Sequence, residues 1–99
     1  MRFNFEWDPL KAMANEKKHK VSFEHAAEIF LDPFAISIYD NEHNFEEDRW
    51  ITIGKDNINT ILIVVHTFSQ QDANNFKVRL ISARKATKRE KKQYEGEQI

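Results

Sequence analysis

Residues 60–68, TILIVVHTF, contain five successive aliphatic side chains, Ile61–Val65. Neighbouring side chains of a strand point to opposite faces, so this run is apolar on both. That pattern marks a central strand, and the chain must build a sheet around Thr60–Phe68. Downstream, Phe76–Ser82 alternates: Phe76, Val78 and Leu80 share one side, while Lys77, Arg79 and Ile81 share the other. Three further segments read as strands. Arg2–Glu6 alternates Phe3 and Phe5 with polar residues, and Phe34–Tyr39 and Arg49–Ile53 are rich in β-branched and aromatic residues. The polar stretches Gly54–Asn59 and Ser69–Asn75 read as turns, and the acidic stretch Asp40–Asp48 as a loop.

Helices are expected at both ends. Asp8-Pro9 is a helix start, because Asp accepts from exposed N–H groups and Pro fits the first helical position. Leu10, Met13 and Ala14 supply an apolar stripe, and Lys17-Lys18-His19-Lys20 places cations at the negative end of the helix dipole. Ser22 caps a second helix, in which Phe23, Ala26, Ala27 and Phe30 fall on one face before Asp32-Pro33 stops it. Thr87-Lys88-Arg89-Glu90 fits a capping box, opening a last helix that runs to about Glu95, ahead of Gly96. The whole predicts one α+β domain over residues 1–99, a small antiparallel sheet packed against N-terminal helices and a C-terminal helix.

Several function classes fall away. There is no cysteine, so disulfides, zinc thiolates and cysteine nucleophiles are excluded. The four histidines lack H-E-x-x-H or paired ligand spacing, so no metal or cofactor is expected. The longest apolar run is too short to cross a bilayer, and the N-terminus lacks the apolar stretch of a secretion signal. A cytoplasmic protein without membrane contact is the expectation. The net charge of -1 conceals segregation. Residues 21–60 hold two Lys/Arg against nine Asp/Glu, whereas residues 61–99 hold eight against four. A phosphate backbone responds to a local basic surface and not to the average charge.

Four segments carry a family resemblance: FEWDPLKAMANEKKHKVSFEHAAEIFLDP, YDNEHNFEEDRWITIG, LIVVHTF and VRLISARKATKREKKQY. Together they span about nine-tenths of the chain. With F-x-W-D, K-H-x-V-S-F, E-D-R-x-I-x-I-G and I-S-A-R-x-A-T-x-x-E in this order, the chain resembles the BrnT toxins, which are similar in fold to the RelE ribonuclease toxins. Lys20 stands where that family usually has Gly, and Ser69–Asn75 lacks the basic residue expected near its turn. The resemblance implies an RNA-cleaving toxin that inhibits translation, neutralised by a BrnA-like antitoxin. It also implies operator DNA contacted only through the antitoxin complex. Oligomeric state is left open between a homodimer and a toxin–antitoxin heterotetramer. The alternative is a non-catalytic antitoxin-binding module within a DNA-bound autorepressor complex.

RNA is cut without a metal when the ribose 2′-oxygen attacks the adjacent phosphorus. The protein must hold the phosphate in line, neutralise its oxygens and move two protons. Arg79 leads the candidates, since its guanidinium matches phosphate oxygens in pairs and lies on the polar parity of its strand. Arg84, just past that strand, either closes on the same phosphate or pairs with an acidic residue of the middle segment. Arg49 ranks below them and is open to Glu46, Glu47 or Asp48 as a structural partner. His66 and His19 are the candidate proton carriers, set against structural roles in the sheet and at a helix end. Lys18, Lys85, Lys88, Arg89 and Tyr94 are the candidate RNA contacts; the rival reading for Tyr94 is packing of the last helix. His25 and His43 carry no expected role.

Overall fold

The computed structural model describes residues 1–42 and 47–96. Its elements run β1 (Arg2–Glu6), α1 (Pro9–His19), α2 (Phe23–Glu28), a 3-10 turn (Ile29–Leu31), β2 (Ile36–Tyr39), β3 (Arg49–Lys55), β4 (Ile61–Thr67), β5 (Ser69–Gln70), β6 (Asn75–Lys85) and α3 (Lys88–Gly96). The sheet order is β1-β6-β4-β3-β2, with short β5 also pairing β6. The run Ile61–Val65 does lie centrally, between β3 and β6.

One expectation of direction changes. β6 pairs antiparallel with β4 but parallel with β1, through Arg2↔Asn75 to Glu6↔Arg79. Alternation tells which side chains share a face and is blind to strand direction, so Arg2–Glu6 reads the same either way. The sheet is therefore mixed. β6 also runs three residues beyond Ser82, and part of the expected turn Ser69–Asn75 is strand β5.

Both faces of β4 are covered, as its composition requires. On one face Leu62 and Val64 join Val78, Leu80 and Ala83 under Phe23, Ala26 and Ile29 of the N-terminal helical layer. On the other, Ile61 and Ile63 pack with Ala86 and Tyr94, which bring in α3. Gly54 permits the close approach of β3 to the 3-10 turn, since a Cβ there would lie 3.0 Å from Ile29 Cβ and 3.2 Å from Ile29 O.

The first helix presents a different face from the expected one. Leu10 and Met13 are 75% and 69% exposed, whereas Asn15 is buried and Ala12 packs on the core. The reason is that α1 is docked by hydrogen bonds. The Asn15 amide donates to Ala83 O (2.9 Å) and Val21 O (3.2 Å) and accepts from Ala83 N (3.0 Å). Pairing with β1 ends at Arg79, so the outer edge of β6 has no strand beside Ala83, and one side chain stands in for it. A search for apolar periodicity passes over such a residue.

The expected caps are present. Asp8 accepts from Leu10 N and Lys11 N, Ser22 accepts from His25 N, and Thr87 and Glu90 exchange bonds reciprocally. Lys20 ends α1 at φ 61°, ψ 30°, the left-handed conformation that Gly tolerates best. Lys20→Gly is expected to raise stability by roughly 1 kcal/mol by relieving Cβ crowding. Asn15→Ala should cost about 2–3 kcal/mol by stranding buried backbone groups. Urea denaturation of the two variants measures both.

Candidate active site

Register settles which side chains meet. Arg49 pairs with Thr67, Val65 with Ser82, and Ile63 with Arg84. Residues opposite one another share a face and alternate residues repeat it, so Arg49, Thr67, Ser82 and Arg84 all face the α3 side. Arg79 joins them. Its neighbours Val78 and Leu80 are buried under the opposite layer, and its guanidinium reaches Glu47, which also contacts Arg49. Three arginines from two strands thus project from one face.

Each is held by a carboxylate. Arg79 forms a close ion pair with Glu47, whose other oxygen lies 3.5 Å from Arg49 Nε. The Arg79 backbone N–H donates to Thr67 Oγ1 at 3.3 Å. The hydrogen bond from Arg79 holds the Glu47 carboxyl below its usual range; burial opposes this, and both guanidinium charges reinforce it. Arg84 lies on β6 itself, not beyond it, and grips Glu90 with two bonds of 2.8 Å. Its partner is therefore on α3 and not in the acidic middle segment. Chiefly through Arg84, and against burial, the Glu90 carboxyl falls to about 2, while the Arg84 guanidinium is raised by the same pair. Arg84 is 41% exposed, so solvent keeps the net worth of this pair within roughly 0–1 kcal/mol. Its main effect is to orient the guanidinium. Beside it lies a hollow of about 620 Å³ with a floor of Ile51, Ile53, Ile63 and Val65 and a rim that includes Ser82, Arg84 and Glu90.

The histidines do not join this group. His66 faces the helical layer, 2% exposed, its ring edge-on to Phe30 at 4.8 Å. Nδ1 donates to Thr67 O at 2.9 Å, and Nε2 accepts from the Thr52 hydroxyl at 2.6 Å. Thr52 in turn accepts from Ser37 at 2.7 Å. Burial lowers the His66 pKa, outweighing the Thr67 carbonyl, which favours the neutral ring, and the ring faces away from the arginines. His19 is half-buried at the end of α1, and its side chain makes no hydrogen bond or ion pair among the described residues. His43 and Glu46 lie outside the described residues.

The expected RNA contacts divide. Lys88 and Arg89 are exposed on the first turn of α3, and Lys18 is exposed near the end of α1. Lys85 is exposed at the end of β6, beside a separate small hollow that it shares with Lys20. Tyr94 is 2% exposed, and its hydroxyl donates to Asp32 Oδ2 at 2.5 Å. It ties α3 to the segment after the 3-10 turn and has no ring face free for base stacking. Burial raises the Asp32 carboxyl, but the bonds from Tyr94, Lys55 N and Phe34 N together lower it below its ordinary value. Sequence reasoning missed the second use of Glu90: the capping box was legible, but the bidentate grip on Arg84 depends on how α3 folds back.

A small α+β domain with a row of arginines on one face of a mixed sheet is the class of architecture suited to handling a nucleic-acid backbone. Residues 7–90 match the family described as the ribonuclease toxin BrnT of type II toxin–antitoxin systems, and the chain belongs to that family. The fold is similar to that in the 1.1 Å crystal structure of the Brucella abortus ribonuclease toxin BrnT. The TM-score is 0.62 at 22% identity, over 88% of this chain and 100% of that one. No curated protein matches the sequence. No helix among the described residues is long and apolar enough to cross a membrane.

The Glu90 value yields a pH prediction. Its folded pKa of about 2 lies below the ordinary 4.5, so its stabilising effect is complete above about 4.5 and is lost as pH falls toward 2. Glu90→Gln should lower Tm by a few degrees at neutral pH and flatten the acid decline in that window. A Tm series from pH 2 to pH 7 on both proteins measures this.

Proposed function

We propose that this ribonuclease toxin acts as a metal-independent endoribonuclease, with Arg49, Arg79 and Arg84 as the phosphate-handling groups. The observation that carries the reading is their common face, with Arg79 and Arg49 sharing Glu47. A scissile phosphodiester presents two non-bridging oxygens, which the Arg79 fork matches in pairs. Replacing the Glu47 carboxylate by phosphate at these guanidiniums exchanges one oxyanion for another at little electrostatic cost.

That exchange supplies the chemistry. Once phosphate takes the Arg79 donors, the largest of the interactions that hold the Glu47 carboxyl low is gone, and Glu47 becomes a better base. It is then placed to accept the 2′-hydroxyl proton as the 2′-oxygen bonds to phosphorus. The P–O5′ bond breaks, the 5′-oxygen takes a proton from solvent and a 2′,3′-cyclic phosphate is left, while the guanidiniums neutralise charge on the pentacoordinate phosphorus. Arg84 stands by the apolar hollow and binds a neighbouring phosphate or the leaving strand. Exposed Lys88 and Arg89 on α3 guide the RNA electrostatically, and Lys18 and Lys85 add charge elsewhere on the surface. His66 and His19 do not transfer protons in this scheme. The partner is a BrnA-like antitoxin, the setting is the cytoplasm, and operator DNA is reached only through the antitoxin complex.

Expression of the wild-type chain without antitoxin should arrest growth. Arg79→Ala should cut purified RNA cleavage by roughly 100-fold, the loss typical of one preorganised transition-state contact, with Tm little changed. Cleavage by the wild type should persist in EDTA at a temperature well below Tm. Equal growth arrest by wild type, Arg79→Ala and Arg84→Ala would remove these arginines from the active site. Loss of cleavage in EDTA with rescue by magnesium would overturn the metal-free mechanism.

A further inference from the structure

We propose that His25, Glu28 and Asp56 form a tetrahedral site for a divalent cation of the zinc class. The three lie on the helical side of the sheet, remote from the arginine face. His25 and Glu28 are one turn apart on α2, and Asp56 follows β3, so the fold brings together what the sequence separates. One ligand atom from each lies within 4.8 Å of the others.

The immediate surroundings have the donor geometry of a cation site. Asp56 is buried, its side chain only 3% exposed. Its Oδ1 is occupied by Ile58 N and Thr60 N, at 3.0 and 2.9 Å, leaving Oδ2 directed at His25 Nδ1, 3.6 Å away. Glu28 Oε1 accepts from Asn57 N at 3.0 Å and stands 3.4 Å from the same nitrogen. His25 Nδ1 is shielded from solvent yet has no hydrogen-bond partner among the described residues. A protonated imidazole would draw a carboxylate to about 2.7–2.9 Å, and a single N–H cannot serve two acceptors set this far apart.

The two spacings from His25 Nδ1, 3.4 and 3.6 Å, instead match the edge of a tetrahedron, and the two carboxylate oxygens lie within 4.8 Å of each other. Zinc bonds of about 2.0–2.2 Å place neighbouring ligand atoms roughly 3.4 Å apart. One imidazole with two carboxylates is a borderline donor set suited to zinc, whereas calcium requires six to eight oxygens and only two carboxylates converge here. Two carboxylate charges balance the cation. Lys20 and Lys85 border the same hollow, but both are exposed and keep their ammonium groups in water. The partly exposed His25 side leaves the fourth position open to a water molecule. Bound there, the ion clips α2 to the β3–β4 turn in a chain that has no cysteine for a disulfide.

The test uses the full chain with zinc chloride or cobalt chloride. At zinc about a hundredfold above its Kd, Tm should rise by roughly 10 °C. Cobalt should show the visible absorption of a tetrahedral centre at one ion per chain. His25→Ala, Glu28→Gln and Asp56→Asn should each weaken binding by at least about tenfold. Asp56→Asn keeps the Oδ1 acceptor for the turn, and Glu28→Gln keeps an Oε1 acceptor for Asn57 N, so folded variants remain available. No Tm rise and no cobalt spectrum for the wild type would overturn the proposal. Undiminished binding by His25→Ala would also overturn it, as would weakening confined to His25→Ala. RNA cleavage in EDTA is read separately, so the fate of the metal-free mechanism does not depend on this result.

Discussion

Both edges of β6 must be satisfied, and the rest of the molecule is arranged around that requirement. One edge is taken by β4 and by the short β5. The other is taken by β1 only as far as Arg79, and Asn15 then supplies donor and acceptor to Ala83. An open backbone group buried at this point would cost more than an ordinary hydrogen bond gains. The position of α1, the burial of an asparagine and the exposure of Leu10 and Met13 all follow from that asymmetry.

The two sheet faces have different chemistry because they have different covers. The helical layer from α2 and the 3-10 turn excludes water from Leu62, Val64, Val78 and Leu80, and it encloses His66 in a chain of hydroxyl hydrogen bonds. On the opposite face α3 covers only part of the sheet, packing Tyr94 on Ile61 and Ile63 and leaving arginines beside a hollow. A histidine is useful for proton transfer where its pKa stays near neutrality and its ring can reach substrate. Burial lowers the pKa of His66 and encloses its ring on the face away from the guanidiniums. Arginine keeps its charge at any working pH and tolerates partial exposure, so the row on the open face is the chemically available one.

Much of the architecture was legible from short-range signals. Capping at Asp8, Ser22 and Thr87, the end of α1 near Lys20 and the central position of Ile61–Val65 were all readable in advance. Each depends on interactions within a few residues or on side-chain parity. The wrong face assigned to α1 shows the limit of that reading. Leu10, Met13 and Ala14 have helical spacing, but Asn15 docks through polar bonds that no apolar count registers. The candidate site was legible as residue types: Arg79 and Arg84 were visible as phosphate-binding candidates, and Arg49 as a neighbour of acidic residues. Their common face was not, because it depends on the pairing of β3 with β4 and of β4 with β6.

By itself the sequence determined most of the segments that become helix or strand, the caps that open the helices, and which side chains alternate. These outcomes are governed by backbone sterics, capping and local hydrophobic period. Tertiary structure alone decided that β1 lies parallel to β6, that Glu90 turns back onto Arg84, and that His66 faces away from the guanidiniums. It also decided that Asp56 meets His25 and Glu28. All of these require segments far apart in the chain to be brought into register, and that register is set by the summed burial and hydrogen bonding of the whole domain.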